Sequence, residues 1–148
     1  MDIVIRNADQ KDFPAVLSLI KEFSIFQQTP EKVSITLEQM MEDEKFFQCI
    51  VAENTSKNIV GFASFFFTYY SWSGKGLYLD DLYVTETYRK LGIGQKLLHT
   101  IIDLGKDNQC KKVRWQVSKW NANGIDFYKR MGATVDDTEA TCDLGLKS

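Results

Sequence analysis

The chain has 148 residues, 44% hydrophobic and 26% charged, so residues 1–148 are expected to form a single domain with a core of its own. Lys+Arg total 18 against 20 Asp+Glu, a net charge of −2, so the chain lacks the basic footprint of a nucleic-acid binder and no nucleic-acid partner is expected. The start M-D-I-V-I-R carries no signal pattern and no run of about 18 apolar residues occurs, so no membrane partner is expected and the expected compartment is the cytoplasm.

In chain order, residues 2–7 alternate apolar and polar and predict a first strand. Asp9 suits an N-cap, with Asp12 in the first turn, for a helix running to about Phe26; Pro14 falls early enough to be tolerated. Thr29-Pro30 breaks that helix, and T-L-E-Q from Thr36 predicts a capping box for a second, short helix ending near residues 43–45. Residues 46–53 read as a strand, 54–58 as a polar turn, and 59–70 as a long strand. Three successive phenylalanines, Phe65, Phe66 and Phe67, suggest that both faces of this strand are covered. After a turn at 71–76 that carries Trp72, residues 77–84 form a further strand. Regular alternation would put Leu77, Leu79, Asp81 and Tyr83 on one face and Tyr78, Asp80, Leu82 and Val84 on the other. A polar link at 85–88 leads to Arg89-Lys90-Leu91-Gly92-Ile93-Gly94, which opens a helix with an apolar stripe at Ile93, Leu97, Leu98, Ile101, Ile102 and Leu104. Residues 112–118 predict a strand, 121–131 a helix stopped by Gly132, and 134–136 and 140–146 closing strands. The order β-α-α-β-β-β-α-β-α-β(β) predicts an α/β or α+β fold with a mixed sheet, in which 77–118 is a parallel crossover.

Chemistry-bearing residues concentrate in the second half. Gly92 and Gly94 sit where a helix begins, and free N–H groups there, with the positive end of the helix dipole, suit a phosphate. The same glycines also suit a tight turn. No G-K-[ST] closes the loop, and Leu97 stands where a dinucleotide motif needs its third glycine. Asp80-Asp81 is either a solvated strand end or a base, and alternation keeps the two from lining one pocket unless a bulge intervenes. Cys49, Cys110 and Cys142 are scattered and read as free thiols. The single His99 lies mid-helix with no cluster around it, so no metal is expected.

R-x-x-G-I-G at 89–94 and W-N-x-x-x-x-x-F-Y-K-R-x-G-A at 120–133 together resemble the GNAT acetyltransferases over nearly the whole chain. I-K-E at 20–22, V-G-F-A at 60–63, F-T-Y-x-x-W at 67–72 and L-Y-L-D-D-L-Y-V at 77–84 are similar to the diamine (spermidine/spermine) and thialysine N-acetyltransferases within that family. The resemblance implies a mixed central sheet flanked by helices and splayed at the cofactor strand, with acetyl-CoA as cosubstrate in the gap. It implies that the backbone of Leu82, Tyr83 and Val84 meets the pantetheine arm and the reacting thioester oxygen. The pyrophosphate would lie on Lys90, Leu91, Gly92, Ile93, Gly94 and Gln95, with Arg89 adding charge and Asn121 a further contact. Tyr128 becomes the general acid, a phenol near pKa 10 protonating a leaving thiolate near 8.5; from spacing alone it is equally a core aromatic. Asp80 aligns with the family's Glu as the base that takes a proton from the incoming amine, one methylene shorter and therefore suited to a bridging water.

Phe26, Gln27, Trp72, Asp80, Asp81 and Gln116 are the expected acceptor contacts, though Trp72 equally suits turn packing. Gln27 and Tyr70 stand where the polyamine enzymes carry acidic residues, which brings a shorter amine such as thialysine, lysine or a small diamine level with spermidine. The implied partners are a small amine and a second copy of the chain in a homodimer. A protein lysine or N-terminal acetyltransferase, and a non-catalytic CoA-binding sensor, are the competing readings.

Overall fold

The computed structural model describes residues 2–146; Met1, Lys147 and Ser148, at the ends of the expected domain, lie outside the described residues. The chain forms two compact units that divide between Trp115 and Gln116.

The first unit is built on a five-stranded sheet of order β1-β2-β3-β4-β5, with β1 Val4–Asn7, β2 Gln48–Glu53, β3 Ile59–Tyr70, β4 Gly74–Val84 and β5 Val113–Arg114. The first four strands pair antiparallel, and β5 joins β4 in parallel at Leu77↔Val113 and Tyr78↔Arg114. This is the expected mixed α/β sheet with its crossover. Helix α1, Phe13–Phe26, follows a 3₁₀ turn at Gln10–Asp12. There the capping box lies between Asp9 and Asp12. Asp12 also takes both guanidinium nitrogens of Arg6, at 2.7 and 2.9 Å, while Glu53 accepts from Arg6 Nη2 at 2.8 Å. The cluster ties β1, β2 and the start of α1 together.

Two cores sandwich the sheet. On one face Phe13, Val16, Leu17 and Leu19 of α1 and Met40 of α2, Leu37–Glu42, pack on Val51, Phe62 and Tyr83. On the other lies α3, Ile93–Asp107, which buries Ile93, Leu97, Leu98 and Ile101. A Cβ on Gly61 would stand 3.3 Å from Leu97, and one on Gly105 would stand 3.2 Å from Val113, so α3 rides close on both β3 and β5. Cys49 is buried in the first core, and burial pushes its thiol up to about 12.

Three expectations about the sheet need correction. First, β4 does not alternate regularly. Ser64 pairs with Asp81 and Phe65 with Leu79, which leaves Asp80 as an extra residue in a β-bulge. Leu79 lies opposite Phe65, which alternates with Ala63 and Gly61, so Leu77, Leu79, Leu82 and Val84 all share the α3 face. The bulge reverses the phase of everything after it. Second, the phenylalanine run is covered only in part: Phe65 is buried, but Phe66 is 43% and Phe67 37% exposed. Third, the strand expected at 112–118 is confined to Val113–Arg114. Residues 79–84 of β4 thus have no strand beside them on the outer edge among the described residues. The Thr36 capping box is half made: Thr36 accepts from the Gln39 N–H, but the Gln39 side chain donates to Asp43 instead.

The second unit holds α4, Ala122–Arg130, capped by Asn121, whose Oδ1 accepts from the Gly124 N–H at 3.0 Å. Gly132, at φ +101°, ends it: the Gly132 N–H bonds Lys129 O and the Ala133 N–H bonds Tyr128 O. The closing strands expected at 134–136 and 140–146 do not form. Their apolar side chains stay in solvent, with Leu144 87% and Leu146 91% exposed. Without an apolar face to bury, these short stretches lack what stabilises a strand.

Candidate active site

A cavity of about 440 Å³ opens on the α1 face of the sheet. Ile20, Val33, Ile35, Met40, Phe46 and Phe47 give it an apolar wall, and Ser64, Asp80 and Asp81 form its sheet side. The bulge makes this possible. A regular strand would aim the two carboxylates to opposite faces; the extra residue brings both to one. The Asp81 N–H donates to Ser64 Oγ at 3.2 Å, which pins the bulge to β3.

Neither carboxylate accepts a hydrogen bond or meets a cation within ion-pair distance among the described residues. Burial lifts Asp81 to about 6, with the neighbouring charge of Asp80 adding to it. Asp80, the more exposed of the two, is raised by desolvation as well. Two carboxylates held together with no cation within ion-pair distance favour uptake of a proton or an incoming cation.

The other expected acceptor contacts lie elsewhere. Phe26 and Gln27 close α1 outside the cavity lining, and Trp72 stands fully exposed at the β3–β4 turn. Tyr70 is engaged by two cations, with Lys112 Nζ and Arg114 Cζ each 4.5 Å from its ring centroid. Gln116, in the second unit, donates to Thr141 Oγ1 at 3.4 Å. The sequence reading missed Lys32 and Asp43, which also line the cavity; Lys32 follows Pro30 in a 3₁₀ turn that no motif marks.

At the expected cofactor loop, Gly92 adopts φ +80° and Lys90 φ +65° before α3 begins. A Cβ at Gly92 would meet nothing, so the glycine is needed for its left-handed backbone. No side chain caps α3, and the first-turn N–H groups of Ile93, Gly94 and Gln95 have no acceptor within the helix. Leu91 is half-exposed beside them. Arg89 turns inward: Nε donates to Val84 O and Nη2 to the Tyr83 hydroxyl, each at 2.9 Å, with its guanidinium 4.8 Å from the Phe26 ring. The Tyr83 hydroxyl donates in turn to Glu22 Oε1 at 3.0 Å, and Thr85 Oγ1 to the same oxygen at 2.7 Å. This network fixes the end of β4 to α1, an order that the R-x-x-G-x-G pattern does not announce.

In the second unit Tyr128 lies on α4, its ring edge-to-face with Phe127 at 5.6 Å. Burial raises its phenol above the usual value and so keeps it protonated.

A mixed sheet, a bulged strand with a partly free edge and a helix opened by a left-handed glycine define an α/β fold, and the sequence supplies its activity class, an acyltransferase. The chain belongs to the acetyltransferase (GNAT) family, which its sequence matches over residues 7–133. It is 34% identical to the thialysine N-epsilon-acetyltransferase of Bos taurus, over 93% of this chain and 87% of that protein. It is 36% identical to the spermidine/spermine N(1)-acetyltransferase-like protein 1 of Homo sapiens, over 87% of this chain and 20% of that much longer protein. The crystal structure of a Trypanosoma brucei acetyltransferase shares its fold at a TM-score of 0.77 and 18% identity, covering 97% of this chain and 100% of that one. Among the described residues no helix is long and apolar enough to cross a membrane.

Proposed function

We propose that this acyltransferase moves an acetyl group from acetyl-CoA to a primary amine of a small molecule. The observation that carries this reading is the unpaired Asp80–Asp81 couple in an apolar-walled cavity. An ammonium enters such a site to neutralise it and there meets a base.

Acetyl-CoA, when bound, supplies an activated acetyl thioester. The residues that suit it are the open edge at Leu82–Val84 for an amide-bearing arm, and the first turn of α3, from Lys90 to Gln95, for a pyrophosphate. Asn121, already the cap of α4, is a further candidate contact. Arg89 serves this site by holding Val84 in place as well as by its charge. The Asp80–Asp81 pair takes one proton from the ammonium, directly or through water. The freed nitrogen bonds to the acetyl carbon as the carbon–sulfur bond breaks, and the phenol of Tyr128 protonates the leaving sulfur. Tyr128 regains its proton as the new amide nitrogen loses one, so the net reaction releases a single proton to solvent. The family match spans residues from both compact units, which supports reading residues 1–148 as one acetyltransferase domain. A homodimer in the cytoplasm is part of the proposal; light scattering at twice the monomer mass tests the first half.

A free-thiol assay with acetyl-CoA and a panel of spermidine, putrescine, cadaverine, ornithine, lysine, thialysine and a lysine peptide tests the activity. Amine-dependent thiol release is expected, lowered about 10²-fold or more in Tyr128→Phe and strongly reduced in Asp80→Asn. Full turnover in both variants would remove the mechanism. Turnover on the peptide alone would move the protein to the protein-acetylating class, and acetyl-CoA binding without turnover on any acceptor would make it a sensor.

A further inference from the structure

Glu22 is a half-buried carboxylate of α1 that takes no part in the chemistry proposed above. One of its oxygens accepts two hydroxyls, from Tyr83 at 3.0 Å and from Thr85 at 2.7 Å. The Tyr83 hydroxyl itself accepts from Arg89 Nη2 at 2.9 Å. A phenol has a single proton to donate. Glu22 takes it, which leaves the Tyr83 oxygen free to accept from Arg89. Carboxylate and guanidinium are thus joined through Tyr83, with no direct ion pair between them among the described residues. Phe23 stacks on the Tyr83 ring at 5.0 Å, and the Arg89 guanidinium lies 4.8 Å from the Phe26 ring. The end of α1 therefore holds every member of this relay in place.

The relay ends on the open edge of β4. The Thr85 N–H bonds Val60 O at 2.9 Å, so those two residues form a hydrogen-bonded pair. Val84, opposite Gly61, belongs to the next pair, whose N–H and C=O groups point away from β3. Arg89 Nε donates to that outward carbonyl at 2.9 Å. A carbonyl has two lone pairs, so this bond orients the edge without closing it. It also closes the link between β4 and α3. Arg89 stands just before Lys90 and Gly92, both left-handed. Fixing its side chain on Val84 therefore sets where the first turn of α3 begins relative to the strand edge.

We infer that Glu22 is a positioning residue for the cosubstrate: through Tyr83 and Arg89 it presets the spacing between the open edge at Val84 and the first turn of α3. A ligand that lays an amide-bearing arm on the edge and a pyrophosphate on the turn must engage both at once. Holding the two at a fixed separation before the ligand arrives lowers the ordering cost of binding. Glu22 does this without touching the ligand. Phe26, expected among the acceptor contacts, serves the cosubstrate side as the platform for Arg89. The inference rests on the acetyl-CoA reading and adds to it the residue that preorganises the cosubstrate site.

Calorimetric titration with CoA, which needs no turnover, tests it. Tyr83→Phe keeps the stacked ring and cuts the relay, and is expected to raise the Kd for CoA about 10-fold. Glu22→Ala is expected to do the same. Glu22→Gln, whose amide oxygen still accepts from both hydroxyls, keeps most of the affinity. Because Glu22 acts through Tyr83, the double variant Glu22→Ala/Tyr83→Phe binds CoA within about 2-fold of either single variant. In the thiol assay the KM for acetyl-CoA rises in step, while the KM for the amine stays within about 2-fold of its unaltered value. Should Glu22→Ala fail to fold, Tyr83→Phe alone decides. A Tyr83→Phe protein that melts lower but binds CoA unchanged makes the relay merely structural and overturns the inference. Losses that multiply in the double variant, or an effect confined to the amine KM, overturn it as well, while acetyl transfer stands. An unaltered protein that does not bind CoA overturns the acetyl-CoA reading and this inference with it.

Discussion

Asp81 is half-buried beside a second carboxylate, so charging it is unfavourable in the folded chain. Its folded pKa, about 6, lies above the unfolded value, so between roughly pH 4 and 6 the native state binds more protons and stability falls as pH rises. Asp81→Asn is therefore expected to raise stability at pH 7, on the order of 1 kcal/mol, while lowering acetyl transfer at least about tenfold. Denaturant melts and the thiol assay on one preparation check both halves; a variant that loses stability as well would mean that Asp81 is structural. The unaltered protein should lose kcat/KM below about pH 6 as the carboxylate takes up its proton. Asp12 has the opposite sign. Arg6, bonded to both its oxygens, holds its pKa below the ordinary value. The unfolded chain then binds more protons, so the stabilisation is complete above the ordinary carboxylate range and is lost as pH falls through the lowered pKa. Asp12→Asn is expected to cost about 2–3 kcal/mol at pH 7, and the gap to the unaltered protein should close in acid melts near pH 2.

At the scale of elements, α1, α3 and α4 end in the same way. In each, the second residue past the last helical one turns left-handed: Gln28 at φ +62°, Gln109 at +56° and Gly132 at +101°. The N–H of the residue after it reaches back to a carbonyl in the last turn, as in Cys110 to Gly105 and Thr29 to Ser24. Glycine announces that geometry in a sequence and glutamine does not, so the left-handed turn was legible at Gly132, while Thr29-Pro30 marked the end of α1 at Phe26 and nothing marked the turn at Gln109. Gln109→Gly should stabilise the fold by about 0.5–1 kcal/mol, the relief of a left-handed side chain less the added freedom of the unfolded chain. A rise in Tm of about 1–3 °C in calorimetry checks it, and a fall would mean that the exposed bond from Gln109 Nε2 to Asp107 O matters more than the backbone. Legibility elsewhere followed the same rule. The extent of β3 and the starts of α3 and α4 depend on local pattern, and their predicted places held. The bulge at Asp80, the inward turn of Arg89 and the place of Lys32 on the cavity lining depend on residues far along the chain: Ser64 for the first, Glu22 through Tyr83 for the second, and Ser64, Asp80 and Asp81 for the third. The closing strands failed because β-type residues predict a strand only where an apolar face can be buried.

The whole molecule is close to electrically balanced, 18 cationic against 20 anionic side chains. A net charge of −2 creates little far field to draw a cation in. Under the proposed function, recognition of an ammonium is then local, within the cavity where Asp80 and Asp81 sit beside apolar walls. Contacts of that kind are shorter than the Debye length, about 10 Å at 0.1 M salt, and are partly shielded from ions. Steering from the surface would behave otherwise, its rate falling steeply as salt rises. Raising KCl from about 50 to about 500 mM should therefore lower kcat/KM for lysine by less than about 3-fold. The loss on replacing Asp81 should be much larger at either salt concentration. Stopped thiol-release assays across the salt series measure both. A fall of tenfold or more in the unaltered protein, with Asp81→Asn tracking it, would place cation capture on the outer surface and leave the carboxylate pair to chemistry alone.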